Sequence, residues 1–415
     1  MTANELKRVK VVENAVTGKI TVREAAGLLN LSTRQVKRLK KRFGAECVEW
    51  VKHGNKGQPK PWALAEAMRK KIVELACGKY AGFNDSHLTE KLTEEEGVEV
   101  SRETVRRILR RAGVKSPQRR RAPKYRSRRE RKARKGMMVQ TDASREDWLE
   151  GRGPVMTLIG YQDDASSEVL AARFQMEGED TVGYLRQLWV MVESYGVPVA
   201  LYRDQHGTFQ RNDKNWSVEE ELKGRQTPTQ MGRVLEELGI ESIRALSPQA
   251  KGRIERMWKT FQDRLKSELR LAKAKTVEEA NEVLERFVKD YNERFAKPAK
   301  ETESDFRKLD RKVNRDRLFS LKYYRTVGKD HVIQFGKRSI QLPRKKGKES
   351  YAGKEVELSH QLNGELHVRL GEQWLYKEEM PLEYLPGQAP PRPRAGKPKQ
   401  PRIYILGGRP AVAAR

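Results

Sequence analysis

Asp142, Asp204 and Glu255 are three acids whose setting suggests a shared task. Asp142 ends the apolar run MMVQTD (residues 137–142), Asp204 ends PVALYRD (residues 198–204), and Glu255 lies inside a helical stretch over residues 248–271. A hard divalent cation such as Mg2+ prefers oxygen ligands and keeps several waters, so a few convergent carboxylates are enough to hold it. Two such ions about 4 Å apart activate a nucleophilic oxygen and stabilise the leaving oxygen of an in-line phosphoryl displacement. Each acid alone has an ordinary alternative. Asp142 could be a cap or turn residue, Asp204 a turn residue ahead of Gly207, and Glu255 a surface charge paired with Lys259 one turn on. Taken jointly, the order strand, strand, helix favours the metal site.

For these acids to meet, the strands that carry them must lie side by side with the helix packed against them. Residues 136–297 have that makeup: PVMTLIGYQDD (154–164) and EVLAARFQ (168–175) join the two Asp-bearing runs as short apolar segments bounded by Gly, Pro and Asp. An amphipathic helix is expected over residues 180–196, a short strand over 240–245, and a closing helix over 276–294. Three strands, then helix, strand, helix, short strand and helix is the order of a ribonuclease-H-like α/β domain. The polar stretch between Thr208 and Thr227 reads as an insertion or flexible loop. Asp163 and Asp164 read as turn residues outside the site, and Glu146 and Asp147 as surface charge in an irregular stretch. Lys251, Arg253, Arg256 and Lys259 make the start of the Glu255 helix basic. Lys259 and Gln262 share the face of Glu255, a suitable place to hold a DNA backbone. His206, beside Asp204, is a candidate substrate contact.

The whole chain of 415 residues carries a formal charge of +29, which points to a polyanionic partner. Residues 1–135 hold 36 Lys and Arg against 15 Asp and Glu, so the polyanion is gripped there first. Residues 1–50 read as three helices with a helix-turn-helix pattern, and Arg34, Gln35, Lys37, Arg38 and Lys41 are left on the outer face of the last one. Arg and Gln on such a helix can read base edges in a major groove, although a plain three-helix bundle with a solvated basic face fits the same pattern. Residues 63–114 repeat the arrangement as a second helix-turn-helix or winged-helix-like unit, with Arg102, Arg106, Arg107 and Arg110 expected to face DNA. Residues 115–135 form a basic linker with 12 basic residues and one acid, including Arg119, Arg120 and Arg121, either ordered along DNA or a passive tether.

Residues 315–385 turn to β, with the strong Asn363-Gly364 hairpin signal and basic Lys345, Lys346 and Lys348 on one connection, and a small SH3-like barrel is expected. Residues 386–415 read as a basic Pro-rich tail with a possible docking segment at RIYIL. About one domain per 150 residues agrees with such a multidomain chain. Two cysteines and six histidines cannot supply a zinc module with the usual spacings. No apolar signal region or membrane-length run is visible, so a reduced, soluble, cytoplasmic protein is expected, associated with the nucleoid when bound to DNA.

The blocks TDAS (141–144), RDQHGTF (203–209) and SPQAKGRIERMWKTFQDRL (247–265) resemble the three catalytic blocks of insertion-sequence DDE transposases with a retroviral-integrase-type core. The order of tandem helix-turn-helix units, core and β-rich end resembles the ISNCY group of that family, and the resemblance covers nearly the whole chain. It implies binding of terminal inverted repeats, hydrolytic cutting of 3′ ends, and joining to target DNA by transesterification. Asp142, Asp204 and Glu255 would be the ligands of two Mg2+ per site, with Mn2+ able to substitute. Lys251, Arg253 and Lys259 would lie along the DNA beside them. The expected partners are double-stranded DNA, both terminal repeats and target, and further copies of the chain in a dimer or larger assembly on paired ends, with no membrane. Retroviral integrases place the second Asp and the Glu closer together than the 51 positions that part Asp204 from Glu255, and Gln205 stands where many relatives carry Asn. A catalytically silent DNA-binding regulator and a structure-selective nuclease that hydrolyses without joining are the competing readings.

Overall fold

The computed structural model describes residues 2–43, 48–51, 64–117, 122, 129–176, 178–211, 216–245, 252–336, 338–343 and 350–382. Arg119, Arg120, Arg121 and Lys251 lie outside the described residues, as do Lys345, Lys346, Lys348 and the tail from residue 386 onward. The chain divides into two compact units, Met1–Glu74 and Leu75–Arg415.

The first unit opens with α1 (Ala3–Val16), α2 (Val22–Leu29) and α3 (Thr33–Phe43). Thr2 with Glu5 and Thr21 with Glu24 form capping boxes, each supplying acceptors to backbone N–H groups that a helix start leaves open. Asn30 ends α2 in the left-handed region at φ 51°, which turns the chain sharply into α3. Val11, Ala15, Ala25, Ala26 and Val36 form the small core. The helix α4 (Glu66–Cys77) straddles the division between the units.

The second unit continues with α5 (Asp85–Glu94) and α6 (Arg102–Arg111), capped by Asn84 and Ser101 and burying Leu88, Leu92, Val105 and Leu109. There follow β1 (Val139–Glu146), β2 (Met156–Asp163), β3 (Val169–Gln175), α7 (Thr181–Tyr195) and β4 (Ala200–Arg203). Next come α8 (Val218–Lys223), α9 (Gln230–Glu237), β5 (Glu241–Arg244), α10 (Ile254–Leu271) and α11 (Val277–Phe295). The five strands make one sheet in the order β3-β2-β1-β4-β5. The first three are antiparallel, and β4 and β5 run parallel to β1. This is the ribonuclease-H-like order expected from the sequence. α7 and α9 cover one face through Leu185, Leu188, Met231 and Leu235, while α10 and α11 cover the other through Met257, Phe261, Leu265 and Phe287. All eight residues of β2 are buried, as expected of a strand covered on both faces.

Two sequence expectations change here. The stretch between Thr208 and Thr227 is not merely a loop, because it folds α8 behind a capping box of Ser217 and Glu220 and ends it at the left-handed Gly224. Glu220 then ties the stretch together by accepting from Thr227 N at 2.7 Å and pairing with Arg211 at 2.6 Å. Glu146 is also no loose surface charge. It is the last residue of β1, receives a hydrogen bond from Gln262 and pairs with Lys266 at 2.6 Å, so Gln262 is engaged within the fold.

After α12 (Arg315–Leu318) come β6 (Leu321–Thr326), β7 (Val332–Phe335), β8 (Arg338–Gln341), β9 (Glu355–His360), β10 (Glu365–Leu370) and β11 (Gln373–Glu379). A four-stranded sheet in the order β11-β10-β9-β6 and the β7-β8 hairpin share a core of Ile333, Phe335, Leu358, Leu366 and Val368. Gly364 turns between β9 and β10 at φ 88°, where the Asn-Gly signal placed a hairpin. The strand β6 was not anticipated.

Candidate active site

β1 and β4 pair in parallel, Val139 with Leu201 and Gln140 with Tyr202. Continued two residues past the last paired residues, that register would bring Asp142 opposite Asp204, which lies just beyond the end of β4. Asp142 is the fourth of the eight residues of β1 rather than the strand end expected from the sequence, and Asp204 follows the last residue of β4. Adjacent strands stand roughly 4.8 Å apart, which brings the two backbone positions near one another. The chain past β4 is held by its own polar groups. Asp204 Oδ1 accepts from the His206 backbone N–H at 2.9 Å, and the buried Arg203 donates to Asp204 O at 2.9 Å, Ser242 Oγ at 3.1 Å and Gln210 Oε1 at 3.2 Å. Asp204 is therefore also the turn residue that its alternative reading expected.

Glu255 stands in the first turn of α10, a helix laid along β1. Ile254 N donates to Gln140 Oε1 at 3.3 Å, and Trp258 Nε1 donates to Asp142 Oδ2 at 3.1 Å. Trp258 is three residues beyond Glu255, on the same face of the helix. Gly160 makes the approach possible. It pairs with Asp142 across the sheet, and a Cβ there would lie 2.9 Å from the Trp258 ring. With no side chain at 160 the indole lies over β2 and reaches Asp142.

A fourth carboxylate, close enough to feel the charges of Asp204 and Asp142, was missed in the sequence. Glu179, just before α7, accepts from Tyr184 Oη at 2.6 Å and stands 3.5 Å from His206 Nδ1. Burial raises its pKa, with Tyr184 and His206 opposing and the charges of Asp204 and Asp142 adding to the rise. The only sequence signal was an acid in the connection ahead of a helix that starts at the strand ends. Mutual repulsion of carboxylates is the condition that a divalent cation relieves. The triad is not drawn into one cage: among the described residues no group of three His, Cys, Asp or Glu stands close enough to hold an ion. Asp142 is turned to Trp258 and Asp204 to its own loop, but an oxygen-only donor set suits a hard cation.

The proposed DNA-contacting residues separate into two kinds. Arg34, Gln35, Lys37, Arg38 and Lys41 on α3 are all exposed, and so are Arg102, Arg106, Arg107 and Lys259. Arg110 is not turned outward: it pairs with Asp85 at 2.7 Å and donates to Val114 O at 2.8 Å, because the acid one helix away offers a fixed bidentate partner. Arg253 is likewise committed, to Asp164 at 2.7 Å and to Arg129 O at 2.6 Å. Asp163 and Asp164 are fully buried anchors rather than solvated turn residues. Asp163 accepts from Gly136 N at 3.0 Å and from Ser166 N at 2.7 Å.

α5 is fastened to the far end of the Glu255 helix. Arg264 makes a two-armed contact with Glu90 at 2.5 and 3.0 Å, Glu268 meets His87 at 2.6 Å and Lys91 at 3.0 Å, and Asn84 donates to Asp263 at 2.5 Å. Among the described residues no helix is long and apolar enough to cross a membrane.

The integrase core domain family matches residues 237–295, which include Glu255 but neither aspartate, and a helix-turn-helix domain family matches residues 7–60. A putative transposase, y4bF, of Sinorhizobium fredii is 34% identical over 370 residues, 89% of this chain and 79% of that protein. The transposase for insertion sequence IS1202 of Streptococcus pneumoniae is 28% identical over 417 residues, covering 91% of this chain and 86% of its own length. Among solved structures, the catalytic core domain of BIV integrase is similar over 36% of this chain and 80% of that one, at 16% identity and a TM-score of 0.25.

Proposed function

The chain belongs to the insertion-sequence DDE transposases, and from that premise we propose that it binds the inverted repeats of its element, cuts their 3′ ends and joins them to target DNA. The order of its modules supports a place in the ISNCY group. In this reading residues 1–50 and 63–114 are DNA-reading modules, 136–297 the catalytic domain, 315–385 an SH3-like barrel and 386–415 a basic tail. The work is cytoplasmic, on DNA, and paired ends require at least a dimer.

The observation that carries the reading is that β1, which bears Asp142, pairs in parallel with β4, which Asp204 directly follows, while the head of the Glu255 helix is bonded to the same β1. Asp142, Asp204 and Glu255 would hold two Mg2+, which supply activation of the attacking oxygen and charge neutralisation at the leaving one. Trp258 orients Asp142, and the Asp204 loop is held by Arg203. In the first step water attacks the scissile phosphorus and a 3′-hydroxyl leaves. In the second that hydroxyl attacks a target phosphodiester and displaces a new 3′-hydroxyl, so bonds broken and formed balance. Exposed Arg34, Gln35, Lys37, Arg38 and Lys41 suit a major groove, and exposed Lys259 suits the backbone near the cut.

Purified protein should nick and strand-transfer oligonucleotides bearing the terminal repeat in Mg2+ or Mn2+. Asp142→Asn should keep repeat binding and lower cutting by about a thousandfold, a loss of roughly 4 kcal/mol of transition-state stabilisation. Tight binding without cutting, unchanged by Asp142→Asn, would sink the proposal. Hydrolysis alone in the presence of a target duplex would turn it to a nuclease.

A further inference from the structure

Asp164 has no exposed surface, yet both its carboxylate oxygens are filled from three separate stretches of chain. Oδ1 accepts from Gln140 Nε2 at 2.6 Å, from Arg253 at 2.7 Å and from Arg129. Oδ2 accepts from the Lys132 backbone N–H at 3.0 Å. A buried carboxylate is costly unless paired and hydrogen-bonded, and losing one partner of such a set leaves an uncompensated charge. The knot therefore holds as a whole.

What it ties together is the active-site frame. Gln140 is two residues before Asp142 on β1, and Arg253 is two residues before Glu255. Arg129 and Lys132 belong to the basic linker that leads from the helical modules into β1. α10 has no side-chain cap of its own: its N-cap is Arg253, which makes no capping hydrogen bond. The head of the helix is instead held by Gln140, which accepts from Ile254 N, and by the two arms of Arg253, one on Asp164 and one on the Arg129 carbonyl. Arg131 anchors the same linker turn by donating to Ala165 O and Ser167 Oγ, both at 2.9 Å.

We propose that Asp164 is a positioning residue: its carboxylate sets where Glu255 stands relative to Asp142, and makes that placement depend on the linker's Arg129 being seated. The catalytic frame is then complete only while residues 129–135, the end of the linker, stay seated against the core. This rests on the reading of Asp142 and Glu255 given above. Asn at 164 would keep the size but leave two guanidiniums without an anion, and its amide would face a donor at one of the filled positions.

The test uses the full chain with Asp164→Asn, Arg129→Gln and Arg129→Lys. Arg129→Gln, on a partly exposed side chain, covers the case in which Asp164→Asn folds poorly. Hydrogen exchange followed by mass spectrometry should show faster exchange confined to the first turn of α10 in Asp164→Asn and Arg129→Gln. End cutting should fall between roughly ten- and a hundredfold with repeat binding unchanged, the usual span for a residue supporting a metal ligand. Arg129→Lys, which keeps the charge, should recover most of both readouts. Unchanged exchange at the head of α10, or faster exchange there with undiminished cutting, overturns the assignment. A parent chain that binds ends but never cuts sinks the transposition reading instead, and this inference with it.

Discussion

The two helical modules near the start of the chain share a pattern and spend their charge differently. α3, with the sequence TRQVKRLKKRF, contains no acid, buries only Val36 and leaves Arg34, Gln35, Lys37, Arg38 and Lys41 on the surface. In α6, Glu103 engages Arg106 at 2.9 Å and Arg107 at 3.1 Å, while Arg110 is taken by Asp85. The neighbouring α5 turns an acidic face, Glu90 and Glu94, onto Arg264 and Arg294 of the catalytic core. A guanidinium already in an ion pair must give up that partner to take a phosphate, so its net gain on DNA is smaller. The contrast teaches that tandem modules need not be duplicates: α3 leaves its cations exposed, whereas α5 and α6 spend theirs and their acids on each other and on α10 and α11.

The sharpest break would come from paired substitutions. Arg34→Ala with Arg38→Ala should weaken terminal-repeat binding by about a hundredfold, since each good bidentate base contact contributes about 1–3 kcal/mol. Arg106→Ala with Arg107→Ala should cost no more than about tenfold, because Glu103 is released from two pairs at the same time. Fluorescence anisotropy at one fixed salt concentration decides it, and equal losses would erase the distinction.

Next in size is the fastening itself. Arg264→Ala leaves Glu90 only its longer contact with Arg294 at 3.4 Å, and should lower stability by about 2 kcal/mol, less than a fully buried pair would lose because Glu90 keeps that partner and some solvent. Arg38→Ala on the open face of α3 should stay within about 0.5 kcal/mol of the parent. Urea midpoints of the two variants measure the difference.

Acid should act on the same fastening. Burial pushes the Glu268 carboxyl up, but the hydrogen bond from His87 and the charge of Lys91 outweigh it and hold the folded value below the ordinary 4.5. Glu95, which burial also pushes up, is brought down to about 2 by Lys91, Tyr80 and Lys79. A carboxyl lowered by folding stabilises fully above its unfolded value, and loses that contribution as pH falls through the folded one. Docking of α5 should therefore hold at neutral pH and weaken progressively as pH falls below 4.5, with Glu268→Gln flattening the profile. Thermal melting as a function of pH reads this, and a parent profile as flat as that of Glu268→Gln would count against it.

Much of this architecture was legible in residue order. The runs leading to Asp142 and Asp204 carry strand signals, although β1 runs on to Glu146 and β4 stops at Arg203, and the period of residues 254–271 places Glu255 on a helix. What escaped was everything settled by partners far along the chain. Arg110 and Arg253 look like free cations in sequence, but their acids lie 25 and 89 residues away. Asp163-Asp164 reads as a turn because Asp is common there, while the burial that makes Asp164 an anchor comes from Arg129 and Arg253 closing over it. Glu179 sits between elements, so no period marks it. β6, LKYYRT, has no clean apolar alternation, since most of its residues are only half-buried or exposed and its place is set by pairing with β9.

The smallest effect concerns how α3 and α6 are supported. Thr21 caps α2 reciprocally: its hydroxyl accepts from Glu24 N at 3.3 Å, and Glu24 reaches back to Thr21 N at 2.7 Å. Ser101 caps α6 with one backbone bond, from Thr104 N at 3.3 Å. Thr21→Ala removes the bond from Glu24 N and the one its hydroxyl donates to Glu24 Oε2 at 2.9 Å, leaving the returning Glu24 unsteadied in a helix of only 8 residues that buries just Ala25 and Ala26. Ser101→Ala removes the bond from Thr104 N and a hydroxyl contact with Thr104 Oγ1 at 2.9 Å, but from a helix that Val105, Leu109 and the Arg110–Asp85 pair hold as well. Thr21→Ala should therefore cost about 1 kcal/mol and Ser101→Ala about half of that. The two-unit architecture adds a second readout: the loss at Thr21 should lower repeat affinity, because α2 supports the free face of α3, whereas the loss at Ser101 should leave affinity unchanged. Thermal midpoints and anisotropy on the two variants would show it, and a larger loss of affinity for Ser101→Ala would mean that the second module reads DNA as strongly as the first.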